Sequence, residues 1–266
     1  MTKPLAGINI LVTRPVHQAS GLAAKICAAG GTALLFPVLE ILDTKNQRGL
    51  LDIVARLDEF DLAIFISPNA VDKAMSLIRE KRTLPPRLKI AAVGQGTRRV
   101  LRNFGIDEVV APTTHFDSEA LLDMDDLQQV QGKRVVIFRG DGGRELLGDE
   151  LLKRGVAALE YAECYRRAKP NADTASLLRA WENNKMSAIT ITSSEGLRNL
   201  FDMVGQPGKI WLKKTPLFVS HERIAQTASK LGLTHVVLTA AGDDGLLQGL
   251  LNYFRLETRS EGCAST

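Results

Sequence analysis

Short apolar runs of strand length alternate with amphipathic segments along almost the whole chain. Each apolar run is followed by a Ser, Thr, Gly or Arg and then by a polar opening to a segment with a helical period of about 3.6 residues. Such alternation is typical of parallel sheets covered by helices on both faces, so it predicts a doubly wound α/β fold. The strands are predicted at residues 9–13, 33–36, 62–67, 90–93, 108–110, 134–139, 157–160, 188–192, 217–220 and 236–239.

Four of these strand-to-helix junctions recur in the same order in the second half of the chain. The paired positions are Thr13 and Arg139, Ser67 and Thr192, Gly94 and Ser220, and Val109 and Val236. Their offsets are 126, 125, 126 and 127 residues, a drift of the size that loop insertions produce. Because four matches in register do not arise by chance, the sequence indicates an internal repeat.

Two segments interrupt the alternation at equivalent places in the two copies, PVLEI at 37–41 and ECYRR at 163–167. Each is predicted to be extended chain that leaves a domain. Two tandem domains with a boundary near 125–132 are one arrangement, but the extended segments favour an exchange of the first βαβ piece of each copy. The predicted parts are then one lobe at 1–36 plus 171–255, a second lobe at 44–160, a two-stranded link at 37–43 and 161–170, and a flexible tail at 256–266.

The composition is that of a globular protein and argues against a membrane-spanning or secreted one. With 266 residues, of which 45% are hydrophobic, the chain is long enough for two cores. No run approaches the roughly 20 apolar residues that span a bilayer, and the first 15 residues lack the pattern of a secretion signal. Cys27, Cys164 and Cys263 are odd in number and widely spaced, which suits a reducing compartment. We therefore expect a cytoplasmic protein without a membrane partner.

The charge distribution argues against nucleic-acid binding. The net charge is only +4, from 34 basic and 30 acidic residues, and no run of Lys and Arg forms a basic stripe. The densest basic group, Arg98, Arg99 and Arg102, lies on a predicted helix and is best interpreted as solvated surface. Aromatic residues make up 5% of the chain, too few for a base-stacking platform. No nucleic-acid partner is expected.

Several common catalytic and cofactor motifs are missing. Gly94-Gln-Gly96 begins like a dinucleotide fingerprint, but Arg99 stands where the third glycine belongs. The sequence has no GxxxxGK[ST], GxSxG or HExxH motif. The histidines are scattered, at His17, His115, His221 and His235. We therefore expect neither a cofactor nor a metal.

The candidates for ligand binding that remain are hydroxyl residues, glycines and a few arginines, and they lie where strands end and helices begin. A helix N-terminus carries unpaired N–H groups and a partial positive charge, so it binds carboxylate or phosphate. Each terminus contributes roughly 0.3 to 1 kcal/mol through its dipole, and each hydrogen bond to a charged group about 1.5 to 3 kcal/mol. Ligands of open α/β sheets bind beyond the carboxyl ends of the strands. Several termini facing one cleft would therefore hold a ligand with many carboxylates.

Some of these residues have a simple structural alternative, since every helix needs an N-cap: Ser67, Ser193 and Ser194. The arginines are better candidates for ligand contact, because Arg14 directly follows the first strand and has little structural reason to be there. Arg139 and Arg144 flank the Gly-rich turn GDGG, where the backbone can approach an anion closely, which favours a functional role over a structural one. Tyr165 either packs on the link between the lobes or places a phenol at the mouth of the cleft as a proton donor. The sequence leaves both roles of Tyr165 open.

The motifs LVTRP, FISPNAV, AVGQGT, FRGDGGRELL, CYRR, TSSEGL and FVSHERIA together resemble the uroporphyrinogen-III synthase family. The resemblance spans residues 8–254, and the order and spacing of the motifs carry it, since no single motif is specific. It implies two α/β lobes joined by a two-stranded β ladder, with a deep cleft and no metal or cofactor. It therefore supports the exchanged arrangement over tandem domains.

The resemblance also implies a reaction. A cofactor-independent hydro-lyase of this family converts hydroxymethylbilane, a linear tetrapyrrole with acetate and propionate groups, into uroporphyrinogen III in haem and sirohaem biosynthesis. Its terminal hydroxyl is lost, and ring D is inverted through a spiro intermediate. Because the free bilane closes by itself to the wrong isomer, the main task is to hold one reactive geometry. We expect a monomer with transient contact to the enzyme that supplies the bilane.

By the same resemblance, Tyr165 matches the linker tyrosine of the family and is predicted to assist departure of the hydroxyl as a general acid. The remaining site residues are predicted to contact the substrate through side chains or backbone. They are Thr13, Arg14, Ser67, Asn69, Gly94, Thr97, Arg139, Gly140, Gly143, Arg144, Thr192, Ser193, Ser194 and Ser220.

Two other classes of protein share paired α/β lobes. A nucleotide-sugar glycosyltransferase is one, but the incomplete dinucleotide fingerprint and the few aromatic residues count against it. A non-catalytic, hinge-closing small-molecule-binding protein is the other, and that class is normally exported with a signal that this sequence lacks.

Overall fold

The computed structural model describes residues 3–114, 117–143 and 145–263, with side chains through residue 255. The chain divides into two units, which contain one five-stranded sheet each. Unit 1 comprises Met1–Glu40 and Ala168–Thr266, and unit 2 comprises Ile41–Arg167. Unit 1 is therefore discontinuous in sequence.

Strands and helices alternate through the described residues. The strands are β1 (Asn9–Val12), β2 (Thr32–Leu35), β3 (Glu40–Asp43), β4 (Leu62–Phe65), β5 (Lys89–Ala92), β6 (Arg134–Gly140), β7 (Ala158–Ala168), β8 (Ala188–Ile191), β9 (Leu217–Val219) and β10 (Val236–Leu238). The helices are α1 (Val16–Ala28), α2 (Gln47–Ala55), α3 (Pro68–Lys81), α4 (Gln95–Asn103), α5 (Ser118–Leu122), α6 (Asp125–Gln128), α7 (Leu146–Lys153), α8 (Ala175–Glu182), α9 (Ser194–Met203), α10 (Gly205–Lys214), α11 (Glu222–Lys230) and α12 (Gly242–Cys263). A 3₁₀ turn covers Leu57–Glu59.

The sheet of unit 1 has the strand order β10-β9-β8-β1-β2, and all its neighbouring strands are parallel. The chain continues from β1 to β2 on one side and from β8 to β9 and β10 on the other. The order therefore reverses between β1 and β8. In doubly wound sheets this reversal is the point where the crevice for a ligand opens beyond the strand ends.

Both faces of this sheet are covered by apolar clusters, as a buried parallel sheet requires. Ile10 and Val12 belong to a cluster with α1 and α12, whereas Leu11 between them belongs to a cluster with α8, α9, α10 and α11. This division follows from the two-residue period of a strand. Strand β8, AITI, is buried along its whole length.

The sheet of unit 2 has the order β3-β7-β6-β4-β5, with parallel pairing from β7 through β5. Its order reverses between β4 and β6. Phe65 and Phe138 face a cluster with α2, α3 and α4, whereas Ile64 and Ile137 face a cluster with α5, α6 and α7. The two phenyl rings stack, with centroids 4.7 Å apart and planes inclined by 7°.

The doubly wound α/β class predicted from the sequence is confirmed, and the predicted strands differ from the observed ones mostly by one or two residues at their ends. Residues 108–110 are an exception, because only an isolated bridge joins Val110 to Ala91 at the outer edge of β5. Edge segments can pair on one side only, which limits how much strand such a short segment forms.

Three further segments differ from the sequence expectation. The strand predicted at 157–160 and the extended segment at 163–167 form one strand, β7. In the predicted linker strand 37–43, only Glu40–Asp43 is strand, although the N–H of Val38 still donates to the carbonyl of Thr13 at 3.1 Å. The chain from residue 256 is helical through Cys263, because α12 continues past its buried positions, whereas a polar composition alone had indicated disorder.

Within the described ranges, no helix has both the length and the apolar character needed to cross a membrane.

We predict that Phe138→Ala lowers the free energy of unfolding by about 3 to 5 kcal/mol, because it removes a fully buried ring that stacks on Phe65. Leu152→Ala serves as the control, because Leu152 is 55% exposed and its truncation is expected to cost less than about 0.5 kcal/mol. Urea titration followed by circular dichroism gives both values. Equal losses in the two variants would contradict this description of the core.

Candidate active site

In unit 2, strand β4 ends at a capped helix N-terminus. Ser67 is the N-cap of α3, and its Oγ accepts a hydrogen bond of 3.2 Å from the N–H of Ala70. Pro68 occupies the first helical position, where its missing N–H costs nothing. The capping role that the sequence left open for Ser67 is therefore present in the structure. Asn69 lies in the same first turn.

A β-bulge in β7 decides where the side chain of Tyr165 points. Arg139 pairs with Glu163, but the next residue of β6, Gly140, pairs with Tyr165, so Cys164 is an extra residue in β7. Without the bulge, consecutive side chains would alternate between the faces of the sheet. Instead, Cys164 and Tyr165 both join the cluster formed with α2, α3 and α4.

The phenol of Tyr165 reaches across the end of β6 to Ser67. Its hydroxyl lies 3.0 Å from the Oγ of Ser67 and accepts a hydrogen bond of 3.3 Å from Nη2 of Arg167. Gly140 makes this path possible, because a Cβ at that position would lie 2.7 Å from Cζ of Tyr165. The structure thus brings Ser67, Gly140 and Tyr165 together at the point where the strand order reverses.

The burial of Tyr165 bears on the two roles that the sequence left open. The side chain is 0% exposed and packs in the core cluster of unit 2. The bulge is the physical reason, since it turns the ring inward toward α3. The role of Tyr165 as a general acid stays a prediction.

Arg139 lies on the other face of the same sheet. Both of its terminal nitrogens donate to Oε1 of Glu145 at 3.1 Å, and its guanidinium lies 4.1 Å from the ring centroid of Tyr161. Tyr161 belongs to the residues that pack on the cluster with α5, α6 and α7. The side chains of Arg139 and Tyr165 are therefore not brought together, and Arg139 already has a carboxylate partner.

The side chains of Glu145, Tyr161 and Arg139 interact with one another. Burial, followed by the hydrogen bond to the Glu145 carboxylate, raises the pKa of Tyr161 to about 12. The hydrogen bond from Tyr161, followed by that from Arg139, lowers the pKa of Glu145. Helix α7 approaches closely here, because a Cβ at Gly148 would overlap the Tyr161 hydroxyl. The group fixes the C-terminal end of the Gly-rich turn against the sheet.

The Gly-rich turn itself is tied to β7. The N–H of Asp141 donates to the carbonyl of Tyr165 at 2.8 Å, and Oδ1 of Asp141 accepts from the N–H of Arg167 at 3.1 Å. Gly143 has a φ of 142°, which favours glycine. Arg144, predicted to contact the substrate, lies outside the described residues.

Helix α4 begins without a side-chain cap. Gly94 is its N-cap, no side chain accepts a hydrogen bond from its first turn, and that turn contains no acidic residue. Thr97 is 4% exposed in the helix, so it belongs to the packing against the sheet. The N-terminus of α4 therefore keeps the anion-binding character that the sequence analysis expected of strand ends.

In unit 1, the residues after β1 combine a structural hydroxyl with an oriented cation. Oγ1 of Thr13 donates to the carbonyl of Thr190 at 2.7 Å, which ties the end of β1 to β8. Arg14 forms an ion pair with Asp243 in the first turn of α12. Pro15 is the N-cap of α1, and this helix also lacks both a capping side chain and an acidic residue in its first turn.

The other predicted residues of unit 1 follow β8 and β9. Ser193 caps α9 by accepting from the N–H of Gly196 at 2.9 Å, and Thr192 lies between β8 and this cap. Ser194 is not a cap, since its hydroxyl donates to the carbonyl of Arg223 at 3.4 Å. Ser220 is 7% exposed just before α11.

Sequence reasoning missed Arg167 and Asp141, which hold Tyr165 and the Gly-rich turn. A signal for Arg167 existed, because it stands two residues after Tyr165 in an extended segment and the two side chains therefore share a face. In the part of the chain that the structure describes, no group of three or more His, Cys, Asp or Glu residues is arranged to hold a metal ion.

Comparison with known proteins identifies relatives of this chain. The uroporphyrinogen-III synthase of Salmonella typhimurium is 35% identical over 246 residues, which cover 91% of this chain and 100% of the relative. That of Escherichia coli is 34% identical over the same shares of the two chains. The solved structure of a mutant uroporphyrinogen III synthase from Thermus thermophilus shares the fold, with a TM-score of 0.61 at 17% identity over 93% of this chain and 99% of that chain.

A second solved structure, the uroporphyrinogen-III synthetase of Helicobacter pylori, has a TM-score of 0.60 at 15% identity and covers 92% of this chain and 99% of that chain. At such low identity these two structures support the fold alone. Family membership rests on the sequence, because the model of the family described as uroporphyrinogen-III synthase HemD matches residues 20–248. Together with the two bacterial relatives, this match shows that the chain belongs to the uroporphyrinogen-III synthase family.

Proposed function

We propose that this chain is a uroporphyrinogen-III synthase, a lyase that closes hydroxymethylbilane to uroporphyrinogen III with loss of water and inversion of ring D through a spiro intermediate. The main observation in support of this proposal is the match to the family model over residues 20–248. Full-length similarity to relatives that bear this name supports it. The glycosyltransferase and the solute-binding protein are not favoured, since none of the relatives compared above bears such a name.

The uncapped starts of α1 and α4 support binding of the substrate carboxylates. In α3 and α9, Ser67 and Ser193 already satisfy one N–H group of the first turn, whereas α1 and α4 have no such side chain. An anion at an open N-terminus gains the dipole interaction and hydrogen bonds from backbone N–H groups. We therefore propose that a carboxylate of the substrate binds at the N-terminus of α4, and we propose Arg14 as a further contact to a carboxylate.

The other contacts are proposed from their position at the carboxyl ends of the strands and from the family resemblance. In unit 1 they are Thr13, Thr192, Ser193, Ser194 and Ser220. In unit 2 they are Ser67, Asn69, Gly94, Thr97, Arg139, Gly140, Gly143 and Arg144. Backbone groups carry most of these contacts in the proposal, because several of the side chains already have protein partners.

Tyr165 is proposed to assist loss of the terminal hydroxyl. A departing hydroxide needs a proton or a strong hydrogen bond, and a phenol donates either. In the proposal, the substrate hydroxyl replaces Ser67 as the partner of the Tyr165 hydroxyl, which lies 3.0 Å from Ser67. The guanidinium of Arg167, already bonded to the phenol oxygen, would stabilise negative charge that develops there as the proton leaves.

Cellular and assembly properties belong to the same proposal. We infer a cytoplasmic monomer that contacts the enzyme supplying hydroxymethylbilane only transiently. We also infer the functional division of the chain into lobes at 1–36 plus 171–255 and at 44–160, with links at 37–43 and 161–170. The mixed surface charge, with a net charge of only +4, fits a protein that takes a small anionic substrate.

We predict that the purified protein, mixed with freshly prepared hydroxymethylbilane, forms uroporphyrinogen III. Oxidation of the products and chromatographic separation of the porphyrin isomers measures the outcome. An enzyme-free sample supplies the control, because spontaneous closure gives isomer I. If the protein also yields isomer I alone, the proposed function is wrong.

Tyr165→Phe is predicted to keep the fold and to lower the single-turnover rate about tenfold to a hundredfold, since it removes the hydroxyl but keeps the buried ring. Tyr253→Phe is a matched control, because that tyrosine lies on α12 and its hydroxyl bonds His235. Rapid-quench measurement of bilane consumption gives both rates. An unchanged rate for Tyr165→Phe would remove the phenol from the mechanism.

Arg14→Gln is predicted to raise KM about threefold to tenfold, because a charge-assisted contact to a carboxylate is lost at a partly exposed site. The increase should shrink at high salt, which screens the lost charge. Lys25→Gln is the control, because Lys25 lies near the other end of α1 and pairs with Asp244. Equal KM values for the two variants would argue against a carboxylate at this terminus.

A further inference from the structure

A carboxylate of the protein itself is bound to a buried arginine at the end of β6. Arg139 is the second-to-last residue of this strand, and only 8% of its surface is exposed. Both of its terminal nitrogens donate to Oε1 of Glu145 at 3.1 Å, and the hydroxyl of Tyr161 donates to the same carboxylate. Three donors thus converge on one carboxylate, so unit 2 contains a carboxylate-binding site that is already formed.

Glu145 does not use all the hydrogen-bond donors of Arg139. A guanidinium has five N–H groups, and it binds a carboxylate best when two of these groups meet two different oxygens. Here both terminal nitrogens share a single oxygen, and Nε of Arg139 is buried without a hydrogen-bond partner among the residues that the structure describes. A carboxylate that is not tethered to α7 is free to meet the guanidinium with both of its oxygens.

Glu145 can leave the site more easily than Arg139 can lose its partner. Glu145 is the N-cap residue of α7, and its side chain is 52% exposed. When this side chain rotates away, its carboxylate enters water at little cost, but the buried guanidinium loses its ion pair. Arg139 therefore favours an exchange of one carboxylate for another over simple opening. Helix α7 stays in place during the exchange, since Leu147 and Leu151 hold it in the core.

The charges around the site favour exchange over the binding of a second carboxylate. Asp149 lies one turn further along α7, and its charge also acts on Tyr161. A carboxylate that bound in addition to Glu145 would be repelled by both acidic groups. A carboxylate that replaces Glu145 leaves the number of charges unchanged, so the repulsion from Asp149 is the same before and after the exchange.

We propose that a carboxylate of the bilane displaces Glu145 and binds to Arg139 and to the hydroxyl of Tyr161. In the free protein, Glu145 takes the place of this carboxylate and keeps the guanidinium in position. The inference rests on the proposed function and adds Tyr161 and Glu145 to the residues that determine substrate affinity. Because Glu145 competes for the site, the measured affinity is lower than the intrinsic affinity by the fraction of protein in which the site is open.

The test removes the charge of Glu145. Glu145→Gln is expected to lower KM for hydroxymethylbilane about threefold to tenfold, because a neutral amide competes less strongly for the guanidinium. We expect kcat to stay within about twofold of the wild type, since a contact made equally in the substrate and transition-state complexes affects KM alone. Melting temperatures verify that each variant is folded.

Glu150→Gln is the matched control. It makes the same change of charge on α7, but Glu150 pairs with Lys153 and Arg154 instead of Arg139. Its KM should equal that of the wild type. A decrease in KM as large as that of Glu145→Gln would overturn the inference, because the effect would then come from net charge alone.

Variants of the donors show whether the effect of Glu145→Gln depends on this site. Arg139→Gln is expected to raise KM, and the double variant with Glu145→Gln should have the same KM as Arg139→Gln alone. Tyr161→Phe supplies a second test in case loss of the arginine unfolds the protein. It should raise the KM of Glu145→Gln about threefold to tenfold but change that of the wild type by less than about twofold, because the hydroxyl otherwise binds either carboxylate.

An unchanged or raised KM in Glu145→Gln overturns the inference, since Glu145 would then serve the fold or contact the substrate itself. A decrease in KM that persists at full size in the Arg139→Gln background, or in the Tyr161→Phe background, overturns it as well. Failure of the proposed function is a separate outcome, because the wild-type protein would then form only isomer I.

Discussion

A parallel sheet brings the ends of its strands, and the beginnings of the helices that follow, to a single edge. Backbone N–H groups that no helix can satisfy internally are therefore concentrated there. In this protein the N–H groups at the helix N-termini have two kinds of environment. Ser67 and Ser193 satisfy one of them with a hydroxyl, whereas the N-cap residues of α1 and α4, Pro15 and Gly94, make no such side-chain hydrogen bond.

The fold was predictable because its determinants are local and periodic. Fully apolar runs such as LAIF in β4 and AITI in β8 can only be buried on both faces, and the helices between them follow from periodicity and capping residues. Residues 108–110 were not predictable in the same way. Their strand formation depends on a neighbour, and at the outer edge of β5 there is only one.

The sequence shows which residue types follow the strand ends, but it does not show how their side chains are arranged. Tyr165 was identified, yet strict alternation would place its ring with Tyr161 on the face of Arg139. The extra residue in β7 turns the ring to the opposite face of the sheet, and nothing in the sequence CYRR predicts a bulge. The pairing of Arg139 with Glu145 could likewise not be predicted from the sequence, because it depends on how closely α7 approaches Tyr161 at Gly148. Such features arise from tertiary packing and have no signature of their own.

The close contact at Gly140 has a consequence for how this protein can change over time. Any side chain at position 140 would collide with the ring at position 165, so the two positions are not free to vary separately. A methyl group at position 140 would therefore require the ring of Tyr165 to move, so the ring in its present position requires glycine at 140. The position of the Tyr165 hydroxyl next to Ser67 thus depends on the missing side chain at Gly140 as well as on its own hydrogen bonds.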